Sequence, residues 1–130
     1  MPVQNPRITK NTTMGSATSL SPAIFLEGYR VAALDFSSGW DAANRMTFQG
    51  SYDFGTATSP TWRDLYDSLG NELQIASGSI VSATGRSIVP DVDLSLGISA
   101  HAYLRLRSGP SSAVVNPSTA ISITVVLAPL

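Results

Sequence analysis

His101 is the only histidine in the chain, and it stands just before the alternating run Tyr103-Leu104-Arg105-Leu106-Arg107-Ser108-Gly109. An imidazole can serve as a general base near neutral pH, but no Ser-His-Asp or Cys-His spacing frames this one. A surface or partly packed histidine is therefore expected. Asp91 and Asp93 are the nearest oxygen donors for a metal, yet Asp-x-Asp beside Pro90 is common loop chemistry. No glycine-centred calcium loop follows it. Asp64, Asp67 and Glu72 cluster around a hairpin tip, and paired carboxylates can hydrolyse glycosides. Asp67, however, sits where an Asx-turn begins, which gives it a structural task. No phosphate-binding glycine loop, nucleotide fingerprint or nucleophile elbow is present. The expectation is no catalytic residue, no metal and no cofactor, which leaves recognition. Trp40, Trp62, Tyr66 and Tyr103 can form a sugar-binding platform, or they can fill a core or a subunit interface.

The elements that position these groups read as short strands. A strand turns successive side chains to opposite faces, so Leu104 and Leu106 share the inner face while Tyr103, Arg105 and Arg107 share the outer one. Arg45 to Tyr52 repeats the pattern, with Met46 and Phe48 inward and Arg45, Thr47 and Gln49 outward. It returns in Ala120 to Leu127, where Ile121, Ile123, Val125 and Leu127 face in. Ile24-Phe25-Leu26, Tyr29 to Phe36, Trp62 to Tyr66, Glu72 to Ala76 and Ser87-Ile88-Val89 supply further strands. Gly70 and Asn71 mark the reversal that makes Glu72 to Ala76 the hairpin mate of Trp62 to Tyr66. Asp91 to Ser99 reads as a loop with apolar anchors Val92, Leu94 and Leu96. Seven or eight short strands at this spacing predict an all-β, antiparallel, jelly-roll-like β-sandwich spanning residues 23–130. Residues 1–22 are mostly Thr, Ser, Asn, Gly and Pro with no sustained period, and read as an extended or flexible N-terminal arm.

Composition narrows the partners. The 130 residues carry a net charge of −1 with 13% charged residues, so no field exists to capture nucleic acid or an anionic membrane. The absence of cysteine excludes a disulfide framework and thiolate metal sites. All cations but Lys10 are arginine, the residue enriched at interface cores where lysine is depleted. Met1 to Arg7 hold no signal-peptide core, and no apolar run is long enough to span a bilayer. A soluble product made in the cytoplasm is expected.

Four stretches, in order, resemble a known group: Trp40-Asp41-Ala42-Ala43-Asn44-Arg45-Met46-Thr47-Phe48-Gln49; Asp64-Leu65-Tyr66-Asp67; Gly70-Asn71-Glu72-Leu73; and Tyr103 to Gly109 followed by Val115-Asn116-Pro117. The set is similar to small β-sandwich proteins encoded among the virion structural genes of tailed bacteriophages and prophages, over roughly Trp40 to Leu127. Asn116-Pro117 departs from the group's pattern, where a polar residue often follows the asparagine, and the Thr-rich arm departs too. The resemblance implies no catalytic residues. It implies a virion protein made in the host cytoplasm, most simply a capsid decoration (cement) protein on the head surface. Its partners would be the major capsid protein, or another virion protein, and further copies of itself, with a trimer as the leading symmetry. The alternatives are a tail or neck fibre component and a glycan-binding module using Trp40 and Trp62. The expected contact surface is the arm, with Arg7 and Lys10, together with the face bearing Tyr103, Arg105 and Arg107. Those arginines have a second possible use, pairing with Asp64 or Glu72 inside the sheet.

Overall fold

The computed structural model describes residues 7–15, 18–26, 28–36, 45–56, 58–75, 86–99, 101–117 and 120–129. Its strands are β1 (Ile8–Met14), β2 (Ile24–Phe25), β3 (Tyr29–Phe36), β4 (Met46–Ser51), β5 (Arg63–Asp64), β6 (Gln74–Ile75), β7 (Arg86–Ile88), β8 (Tyr103–Ser108) and β9 (Ile121–Pro129). One sheet runs β1-β9-β3-β7; the other runs β2-β8-β4-β5, with β6 also paired to β4. Every pairing is antiparallel. The architecture is the all-β sandwich that the alternation predicts.

The two inner faces meet in one core. Val31, Leu34, Phe36, Ile121, Ile123, Val125 and Leu127 come from the first sheet; Ile24, Met46, Phe48, Leu104 and Leu106 come from the second. Each is almost wholly buried, and each such side chain stabilises the fold by about 1.5–3 kcal/mol. This burial fixes the register, because a slip of one residue would turn the arginines of β8 inward.

The segment read as an arm contains a strand. Residues 8–14 pair along their whole length with β9, from Ile8 opposite Leu127 to Met14 opposite Ile121. The inward positions are Ile8, Lys10, Thr12 and Met14, so two polar residues interrupt the apolar period and hide the strand in the sequence. Residues 1–6 lie outside the described residues.

Asp91 to Ser99 also differs from expectation, since Val92–Ser99 form a helix, α1. Asp91 caps it: its Oδ1 accepts from Leu94 N (2.8 Å), as an N-cap carboxylate does. Ser95 donates its hydroxyl hydrogen to Val31 O (2.6 Å), and Ile98 enters the core. The pairing of β3 with β9 shifts register between Val31 and Ala33. The helix thus supplies a partner to a carbonyl where the ladder is interrupted.

The hairpin expected between Trp62–Tyr66 and Glu72–Ala76 forms around its tip, where Leu73 N donates to Leu65 O (2.9 Å) and Asp67 N to Asn71 O (2.8 Å). Farther out, β5 and β6 pair with β4. Asp64 pairs with Gln49 and Ile75 with Met46, while a single bridge joins Tyr66 to Glu72. The tip itself behaves as expected. Asp67 Oδ1 accepts from Leu69 N and Asn71 N (both 2.9 Å), and Gly70 has φ +85°.

Candidate functional site

The outer face of the β2-β8-β4-β5 sheet gathers most of the chemistry singled out in the sequence. Tyr103, Arg105 and Arg107 do project from β8 to this face, but the two arginines have different fates. Arg107 is only 3% exposed. Its guanidinium forks onto Asp64 and Glu72, the latter at 2.8 Å, and its Nε donates to Thr47 Oγ1 at 2.9 Å. Thr47 in turn donates to Gly109 O (2.6 Å), and Glu72 accepts from Ser111 N (3.1 Å). Arg107 therefore belongs to an internal strut and is removed from any docking surface, as the second use of these arginines allowed. Burial pushes the Asp64 carboxyl upward, but hydrogen bonds from Arg107 and Gln49 outweigh it and hold the group below its ordinary range.

Arg105 stays half-buried at the surface. It donates to Gln49 Oε1 and lies flat over Trp62, 3.9 Å from the ring centroid. That approach is a cation–π contact of the kind arginine favours. Burial, followed by the neighbouring Arg107 charge, draws the Arg105 pKa below the usual arginine value.

Aromatic rings continue from this point. Trp62 meets Phe54 (5.5 Å between centroids), Phe54 meets Tyr103 edge-on (5.0 Å), and Tyr103 stacks on Phe25 (4.9 Å). Lys10 ends the series, 5.5 Å over the Phe25 ring, while its Nζ donates to Phe25 O (2.8 Å). A ladder results: Lys10, Phe25, Tyr103, Phe54, Trp62, Arg105. Strand pairing sets one rung, because Phe25 lies directly opposite Tyr103. The loop after β4 sets another. Asp53 Oδ1 accepts from Thr61 N (2.8 Å) and Ser51 Oγ accepts from Phe54 N (3.1 Å), which fixes Phe54 beside Trp62. The Thr61 N–H and then the Ser51 hydroxyl keep the Asp53 carboxyl below its usual range.

Of the expected contact residues, Lys10, Tyr103 and Arg105 thus come together. Arg107 is internal, and Arg7 lies elsewhere, exposed at the start of β1 on the other sheet. Of the expected aromatic platform, Trp62 and Tyr103 join the ladder, and Trp40 lies outside the described residues. Tyr66 pairs instead with Ser111 (2.9 Å between hydroxyl oxygens). Phe25 and Phe54, which complete the ladder, were not singled out. For Phe25 the signal was present: Ile24 is inward, so its neighbour must face out.

His101 packs against the inward side of β4, the side that Gly50 shares with its partner Leu104. Its ring stacks on Tyr52 (4.5 Å), and its Nδ1 is buried with no hydrogen-bond partner in the structure. Burial lowers its pKa below the ordinary histidine value. The ring also covers Gly50, where an added Cβ would stand 2.5 Å from the imidazole Cγ. Gly50→Ala should therefore lower the unfolding free energy by about 2 kcal/mol through overpacking. Chemical denaturation checks this, and the loss should shrink but not vanish in a His101→Ala background, because the Cβ at position 101, 2.9 Å from the added one, remains.

The carboxylates weighed for acid–base work hold structural partners: Asp64 and Glu72 bind Arg107, Asp67 closes the turn, and Asp91 caps α1. No group of three or more metal-ligating side chains occurs among the described residues. No helix among them is long and apolar enough to cross a membrane. No protein-family model, no curated protein and no solved structure matches the chain.

Proposed function

We propose that the protein is a structural component of a tailed-phage virion, a capsid decoration (cement) protein that docks on the major capsid protein through its aromatic ladder and acts as a homo-oligomer. The ladder is the observation that carries this reading. Phe25 and Phe54 are 43% and 36% exposed. Exposed aromatic rings flanked by cations are the composition of an interaction surface, since aromatics and arginine dominate interface hot spots. Their arrangement favours a protein partner over a sugar. A sugar stacks on open ring faces, but Phe25 and Tyr103 turn faces toward each other, Lys10 lies over Phe25 and Arg105 lies over Trp62. The low charge and the ordered motifs that resemble those of phage virion sandwiches support the same reading.

The copy number per purified virion, measured by quantitative mass spectrometry against the major capsid protein, tests it. Near-stoichiometric abundance is the expected result. A handful of copies would move the protein to the neck or tail, and absence from virions would overturn the structural role. At residue level, Phe25→Ala should weaken capsid binding about tenfold or more, the effect of one hot-spot side chain. Co-sedimentation with undecorated capsids reads this out, and an unchanged affinity would reject the ladder as the docking face.

A further inference from the structure

Two other surfaces of the molecule complement one another. The first is a groove of ≈ 610 Å³ between the tip after β5 and helix α1. It is lined by Tyr66, Leu69, Leu73 and Leu94 together with the acidic Asp67, Glu72 and Asp91, of which Glu72 is already paired with Arg107. Leu69 is 84% exposed. The second is a depression of ≈ 440 Å³ on the outer face of the β1-β9-β3-β7 sheet, lined by Ala33, Val89 and Val126 with Arg7 and Arg30 at its rim. Val89 is 73% exposed.

We infer that these surfaces bind each other between copies of the chain, the acidic groove of one seated on the basic patch of the next. Apolar centre meets apolar centre, while the Asp67 and Asp91 carboxylates meet two guanidiniums, which sets orientation and register. A net charge of −1 leaves little overall repulsion between copies. The surfaces lie on different faces: one flanks α1, and the other covers the outside of β3, β7 and β9. The contact is therefore heterologous, repeating head to tail, and closes into a ring where the rotation between copies permits. This inference concerns contact between copies and stands independently of what the aromatic ladder docks on.

Sedimentation velocity on the full chain tests it. Wild type should sediment as an oligomer. Arg30→Glu, which inverts the patch, and Leu69→Arg, which places a cation in the groove, should each sediment as monomer. Arg7→Glu serves as a second patch variant should Arg30→Glu fail to fold, and circular dichroism melting establishes folding in each case. The decisive arm is the equimolar mixture of Arg30→Glu and Leu69→Arg. The first keeps an intact groove and the second an intact patch, so mixing should restore association. Monomeric wild type at the highest concentration reached would overturn the inference. So would a folded Arg30→Glu that still associates, or a mixture that stays monomeric.

Discussion

Arg107→Met should lower the unfolding free energy by about 3–5 kcal/mol, the largest loss expected from any change on the outer face. The methionine fills most of the volume, so the cost is electrostatic. Glu72 loses its cation while its side chain is only 10% exposed, and Thr47, wholly buried, loses the Nε donor. An unpaired buried carboxylate is far more expensive than the pair was worth. Two consequences separate this from simple packing loss. Adding Glu72→Gln to Arg107→Met should cost less than the sum of the single changes, because the stranded charge has gone. The acid response should change as well. In the wild type the Asp64 pKa is depressed below its unfolded value. Its contribution is therefore present above the unfolded pKa of about 3.9 and is lost as pH falls through the lower folded value. Without Arg107 the main hydrogen bond that depresses it is gone, and this part of the acid destabilisation should disappear. Urea titrations at a series of acid pH values read both effects.

Gly109→Ala should cost about 3 kcal/mol, close to a 10 °C fall in melting temperature for a domain of this size. Gly109 has φ +89°, a conformation that disfavours a Cβ. An added Cβ would also stand 2.9 Å from Ala113 O and 3.0 Å from Val115 N. Both are backbone atoms of the following turn and cannot swing aside. The turn is pinned further, because Gly109 N donates to Arg45 O (2.8 Å) and Val115 N to Ser108 O (3.0 Å). Gly70→Ala isolates the conformational part, since Gly70 shares the positive φ (+85°) but has open space around it. It should cost about 1 kcal/mol. Equal losses at the two glycines would mean that the close approach at Gly109 is absorbed by the loop.

The sandwich was legible in the sequence wherever one face of a strand is wholly apolar. β4 and β9 have that property, β8 has it up to Ser108, and their inward apolar residues emerged as the core. β1 did not, because Lys10 and Thr12 occupy inward positions and only its pairing with β9 reveals the strand. α1 was hidden for a related reason: its eight residues include Asp93, Ser95 and Gly97, and the apolar positions read equally well as loop anchors. Its cap at Asp91 is a local signal in the sequence, but its bond to Val31 O is a tertiary fact, and so is the pairing of β6 with β4. The site was legible in part. Alternation placed Tyr103, Arg105 and Arg107 on one face, but it could not say that Asp64 and Glu72 would converge on Arg107. That depends on which segment lies beside β4. The same limit hid Phe54, whose position rests on the Ser51 and Asp53 hydrogen bonds.

The ladder has a thermodynamic consequence for whatever it meets. Long and aromatic side chains normally lose rotamer freedom when a partner arrests them, roughly 0.5–1.5 kcal/mol each. Here Lys10 is tethered to Phe25 O and Arg105 to Gln49, and each ring leans on the next. Much of that entropy is already surrendered when the chain folds. A partner arriving on this face meets a surface set in advance, so a larger share of each contact survives as affinity and a small footprint can hold.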